Sequence, residues 1–136
     1  MQYWLLKSEP ETYSISMLAK DKKTNWNGVR NFQARNYIKT MSRGDIALIY
    51  HSGDDKAVVG IAKVVKEAYL DSDPDGGEWA QVDIAFVEKL KAPVPLSTIK
   101  TSKPLADMPL IRQSRLSVMP ITELHYNTVL ALSSKP

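Results

Sequence analysis

The chain contains no cysteine. That absence removes disulfides, thiolate metal sites and cysteine nucleophiles together. Histidine is scarce as well: His51 and His125 are separated by most of the chain and lack a paired ligand motif, which leaves zinc without a ligand set. No apolar run approaches the roughly 18 residues needed to cross a bilayer. No basic-then-apolar leader opens the sequence, and a cytoplasmic protein is expected. Phosphate-cradling glycine loops and nucleophile elbows are missing too, which argues against a hydrolase.

What is present fits one globular domain over residues 1–136. The chain is 43% hydrophobic and 24% charged, far from the composition of disorder. The net charge of +3 is modest but unevenly spread. Residues 20–43 carry seven Lys or Arg against Asp21, residues 71–88 carry six acids and no base, and residues 89–115 carry six bases against Asp107. If the two basic segments share a face, that face attracts phosphates. If basic and acidic segments pair across strands, the charges cancel locally.

Periodicity predicts an α+β domain. "YWLLK" (Tyr3 to Lys7) reads as a buried strand, followed by a short helix capped by Ser14 with Ile15 and Leu18 inward. From Asn31, the residues Ala34, Tyr37, Ile38 and Met41 fall on one helical face, with Gly44 placed to end the helix. Gln33, Asn36 and Lys39 then face outward, with Arg35 at the margin. "IALIY" (Ile46 to Tyr50) reads as a central strand, and residues 57–69 as a strand that Gly60 interrupts with a bulge or a close backbone approach. From Trp79 the sequence alternates as a half-buried strand. A short helix after "KAPVPLSTIK", an irregular basic connection, a strand at Arg115 to Val118 and a helix from about Thr122 complete the reading. Five or six strands with short helices around them suggest a curved, barrel-like mixed sheet. Trp4 and Trp79 fall on expected core strands.

"DSDPDGGE" (Asp71 to Glu78) begins like a calcium loop, but its twelfth place is Val82 instead of a bidentate Glu, so an acidic hairpin turn is the better reading. His51 adjoins Ser52, yet neighbours on a strand point to opposite sides, and His51 is badly placed to activate that hydroxyl.

The most unusual stretch is "NWNGVRNFQARN", Asn25 to Asn36, with one tryptophan, five side-chain amides, two arginines and no carboxylate. In one reading Trp26 is core, Asn31 caps the helix, and Arg30 and Arg35 pair with the acidic segment. In the other, an exposed indole stacks on a nucleobase, amides meet its edge and arginines take phosphates.

"WLLKSEP", "WNGVRNFQARN", "GD" before "YHS", and "RQSRLSV" together resemble the EVE domain, within the wider PUA-like and YTH superfamily. The four blocks occur in order and the resemblance covers nearly the whole chain. It implies a PUA-like pseudobarrel, no catalysis, and a pocket for a modified base in nucleic acid: cytosine derivatives in DNA for EVE domains, N6-methyladenine in RNA for YTH domains. No cofactor and no metal are expected. By the same resemblance Trp26 walls the pocket, with Lys7, Ser8, Glu9, Asn31, Tyr50, His51, Ser52, Leu116 and Ser117. Arg30, Arg35, Lys39, Arg112 and Arg115 serve the rim and the nucleic-acid backbone. Whether the polymer is DNA or RNA stays open. Two rivals remain: a pocket holding a small metabolite or free nucleotide, and an enzyme using Glu9 or His51 as acid or base.

Overall fold

A computed structural model of the protein describes residues 1–71 and 77–134. The strands are β1 (Tyr3–Ser8), β2 (Lys23–Trp26), β3 (Ile46–His51), β4 (Ala57–Asp71), β5 (Trp79–Pro95) and β6 (Val118–Ile121). The helices are α1 (Ile15–Asp21), α2 (Phe32–Thr40), α3 (Leu96–Thr101), α4 (Pro109–Arg112) and α5 (Glu123–Ser133), with one 3-10 turn at Lys103–Leu105. The strands make one sheet in the order β2-β5-β4-β3-β1-β6. β1 and β3 run parallel, and every other neighbouring pair is antiparallel.

The centre of the sheet is apolar on both faces. Trp4, Leu5 and Leu6 on β1 and Ala47, Leu48 and Ile49 on β3 are buried in succession, without alternation. The long strands β4 and β5 bend through several register shifts, and these irregularities curl the sheet. Gly60 sits at one of them. A Cβ there would lie 2.3 Å from Ile15 Cδ1, so the glycine lets α1 press against β4. This is the close approach expected of it.

One buried polar residue ties the start of β1 to the turn before β3. Asp45, only 2% exposed, accepts from Trp4 Nε1 at 2.9 Å, Gln2 N at 3.0 Å and Ser42 N at 2.9 Å. The helix starts follow their caps: the side chains of Ser14, Asn31 and Thr122 accept from Met17 N, Ala34 N and His125 N.

Several local expectations are corrected. The last strand is Val118–Ile121 and not Arg115 to Val118. It is an edge strand, where Pro120 costs no interior ladder bond. Gly44 does not end α2, which stops at Thr40. It turns the chain into β3 with φ +95. A helix already starts inside "KAPVPLSTIK", as α3, and a 3-10 turn and the short α4 follow it. β2 had no counterpart in the sequence reading. Trp79 is not core: it is half-buried at the start of β5, against the exposed ring of Phe32. The acidic turn expected over Asp71 to Glu78 falls, for residues 72–76, outside the described residues. Among the described residues no helix is long and apolar enough to cross a membrane, and no His, Asp and Glu cluster could hold a metal ion.

Candidate functional site

A cavity of about 500 Å³ opens where the end of β1, the approach to α1, the strand β2 and the loop after it converge. Lys7, Ser8 and Glu9 form one side, with Thr12 and Tyr13 beside them. Thr24, Asn25 and Trp26 form the opposite side, continued by the loop from Asn27 to Arg30. Ser117, just before β6, closes the margin.

Each wall is held by its own set of hydrogen bonds. Glu9 O accepts from Thr12 N and Tyr13 N, both at 2.9 Å, which makes the turn after β1 compact. Ser8 Oγ donates to Tyr13 O at 2.6 Å and closes it from inside. His51 then fixes the start of α1: its Nε2 accepts from Ile15 N at 3.0 Å, so the ring proton lies on Nδ1, which faces Asp55 Oδ2 at 3.1 Å. On the other wall, Asp71 Oδ2 accepts from Gly28 N and Arg30 Nη1, each at 2.9 Å. Gly28 takes φ +78, which glycine alone adopts without strain, and this turns its N–H onto the carboxylate.

Two aromatics meet at the cavity. Tyr13 packs edge-on against Trp26, with centroids 6.4 Å apart and planes at 81°. Burial, then the hydrogen bond and charge of Asp21, push the Tyr13 hydroxyl above its ordinary pKa. Burial pulls the Lys7 ammonium below the ordinary lysine range, and its Nζ donates to Ser114 O at 2.8 Å. The side chains of Glu9 and Asn27 make no hydrogen bond to any described residue, although both line the cavity. Both residues are exposed, and an acceptor and an amide without a partner among the described residues thus line a chamber with aromatic walls.

The cavity takes in Lys7, Ser8, Glu9, Trp26 and Ser117 from the sequence-derived pocket set, and Arg30 from the backbone set. The indole, however, is not open to solvent as expected. Trp26 is 8% exposed and belongs to the core, and it contributes a wall instead of a projecting ring. The remaining members lie elsewhere. Tyr50 is buried beneath Lys7, whose Nζ stands 5.8 Å from its ring centre. His51 points to α1, where Nε2 accepts from Ile15 N at 3.0 Å, and Nδ1 faces Asp55, so neither ring nitrogen is left for the cavity. Ser52 is spent on Ser8: its N donates to Ser8 O at 2.9 Å. Leu116 is core, and Asn31 is consumed as the α2 cap.

The arginines divide similarly. Arg30 pairs with Asp71, as the charge-cancelling reading anticipated. Arg35 lies over the rings of Phe32 and Trp79, and Lys39 lines a separate groove. Arg112 is exposed and close enough to Asp107 to act on its charge. Arg115 is exposed between Ser114 and Ser117, both of whose carbonyls accept from Lys7. Sequence reasoning missed Tyr13, Thr12 and Asn27. Tyr13 had a signal: it precedes a helix cap and follows the Pro10 turn that folds it back.

The Asp71 anchor makes the loop acid-sensitive. Burial would raise its carboxyl pKa, but the hydrogen bonds from Arg30 and Gly28, with the Arg30 charge, outweigh burial and hold it below the ordinary range. Its stabilisation is thus complete above the unfolded value of about 3.9 and is lost as pH falls through the lowered folded value. Melting temperatures measured from pH 6 downward should drop below about pH 4, and part of that drop should vanish in Asp71→Asn.

Three comparisons bear on this arrangement. Over 98% of this chain and 74% of that protein, it is 36% identical to human thymocyte nuclear protein 1. The crystal structure of human THYN1 protein in complex with 5-methylcytosine-containing DNA superposes with a TM-score of 0.91 at 35% identity, covering 100% of this chain and 99% of that one. A hypothetical protein from Leishmania major superposes with a TM-score of 0.93 at 39% identity, covering 98% and 94%. The curled six-stranded sheet with its short helices is the PUA-like fold of these neighbours. Residues 2–132 match the EVE domain, and the chain belongs to the EVE domain family.

Proposed function

We propose that this protein is a non-catalytic module that captures a modified cytosine from single-stranded or locally opened DNA. The observation that carries the reading is the pairing of two aromatic walls with unspent polar groups in one chamber. At about 500 Å³ the cavity lies within the range of small-molecule sites and has room for a base with its sugar. The Glu9 carboxylate is an acceptor suited to the cytosine N4 amine, and the Asn27 amide is a donor suited to its O2 or N3. Support also comes from the DNA-bound relative of the same fold. The absence of turnover is part of this reading: His51, the histidine considered as an acid or base, has both ring nitrogens engaged away from the cavity.

Magnitudes select the form of the polymer. Stacking on an aromatic is worth about 1–3 kcal/mol per base, and extracting a paired base costs a few kcal/mol. The aromatic walls do not exceed that cost on their own. An unpaired base avoids it. Anisotropy titrations should therefore give the tightest binding to single strands carrying 5-methylcytosine, weaker binding to the matched duplex, and affinity that falls with salt as phosphate contacts are screened. Equal affinity for modified and unmodified single strands would refute the pocket assignment. Salt-independent binding of the free nucleoside, with no gain from a polymer, would favour the small-molecule rival.

A further inference from the structure

Beyond the pocket, one surface feature is left without a role. Phe32, at the first position of α2, is 65% exposed, yet its ring lies on that of Trp79 with centroids 5.2 Å apart and planes at 21°. Arg35 spreads over both rings, 4.9 Å from Phe32 and 5.8 Å from Trp79, and Arg30 stands 5.4 Å from Trp79. We propose that Phe32, Trp79 and Arg35 form a second, sequence-tolerant subsite that stacks an unpaired base flanking the one in the pocket. This rests on the base-capture reading and extends it to the neighbouring nucleotide.

Three observations fix the occupant as a nucleotide. First, the platform is aromatic and cationic together, the combination that accepts any base by stacking while the guanidinium meets phosphate. Second, Arg35 has no carboxylate partner among the described residues. Its N–H groups reach only Asn36 Oδ1, at 3.2 and 3.3 Å, and Glu78 O at 3.3 Å, long contacts that a phosphate oxygen improves on. Third, the platform is continuous with the pocket. Arg30 lines the cavity and also lies against Trp79, so a strand leaving the pocket past Arg30 arrives at the platform. A groove of about 250 Å³ continues from Trp79 past Tyr69 to Lys39, which places another cation further along the same path. Among the described acids nearby, Asp71 is taken by Arg30 and Gly28 and Asp83 accepts from the Tyr69 hydroxyl, while Glu78, exposed at the groove, meets Arg35 through its carbonyl.

The test compares wild type with Phe32→Ala on three probes: 5-methyl-2′-deoxycytidine, a single strand with one 5-methylcytosine between ordinary nucleotides, and the same strand with abasic sites on both sides. Phe32→Leu serves as a second variant should the alanine unfold the protein. The variant should bind the base-flanked strand about tenfold more weakly, with the nucleoside and the abasic-flanked strand unchanged. Arg35→Gln should weaken both strands and flatten the salt dependence, again sparing the nucleoside. Equal binding of the base-flanked strand by wild type and variant overturns the platform while leaving the pocket intact. So does an equal loss on all three probes, which marks the stack as structural support. Failure of the pocket itself reads differently, as loss of preference for methylated over unmethylated strands in the wild type. In that case the Phe32 effect on base-flanked against abasic-flanked strands still decides the platform.

Discussion

Replacing Asp45 by alanine is expected to destabilise the fold by about 3–5 kcal/mol, enough to lower the melting temperature by roughly 10–20 °C. The carboxylate is 2% exposed and collects three N–H groups, from Trp4, Gln2 and Ser42. Removing it strands three donors at the join between β1 and β3, which run parallel. Burial would raise the Asp45 pKa, but its donors hold it low, so its contribution is fully present above about pH 4 and is lost in acid. Asp45→Asn should cost less, since one amide oxygen still accepts while the NH₂ group meets a donor. Chemical denaturation of the two variants beside wild type checks both the size and the order of the effects. Wild-type stability in Asp45→Ala would mean that this carboxylate does not pin the strands.

Trp26→Ala is expected to remove binding and most of the stability margin together. The ring is 8% exposed within the core, and excising a buried tryptophan costs about 3–5 kcal/mol. The same ring walls the cavity, so loss of affinity in that variant would be ambiguous. Trp26→Phe separates the two roles: it keeps an aromatic in the core at a cost of about 1–2 kcal/mol and shortens the wall. We expect a cooperative fold with roughly tenfold weaker binding of a 5-methylcytosine single strand. Calorimetry paired with anisotropy measures both quantities on the same sample. A Phe variant that binds as wild type would show that Trp26 supports the fold without touching the base.

The contrast between these residues explains what the sequence could and could not reveal. Three helix starts were legible because a cap is a local event: Ser14, Asn31 and Thr122 each bond a residue three positions on, whereas α3 and α4 start without a side-chain cap. β5 was legible by alternation, and Gly60 by the absence of a side chain inside a β pattern. β2 was not, because four mostly polar residues paired on one side only leave no period to read. Trp79 was misread as core because hydrophobicity does not distinguish a buried indole from one stacked on a surface phenylalanine. The family resemblance named several pocket residues, but contacts with other elements decide which of them meet the cavity. Ser8 lines it, whereas His51, its partner across the sheet, is taken up by the first amide of α1 and by Asp55. Tyr13 joined the pocket through a turn whose closing bonds run from Ser8 and Glu9.

The three tryptophans report on three different places, and this gives the most direct test of base capture. Trp4 donates to buried Asp45, Trp26 walls the cavity, and Trp79 lies on the outer surface under Arg30 and Arg35. In a ¹⁵N-labelled sample titrated with 5-methyl-2′-deoxycytidine, the indole N–H signal of Trp26 should move to saturation while those of Trp4 and Trp79 stay in place. Saturable binding that leaves Trp26 still and shifts another indole would contradict capture in this pocket.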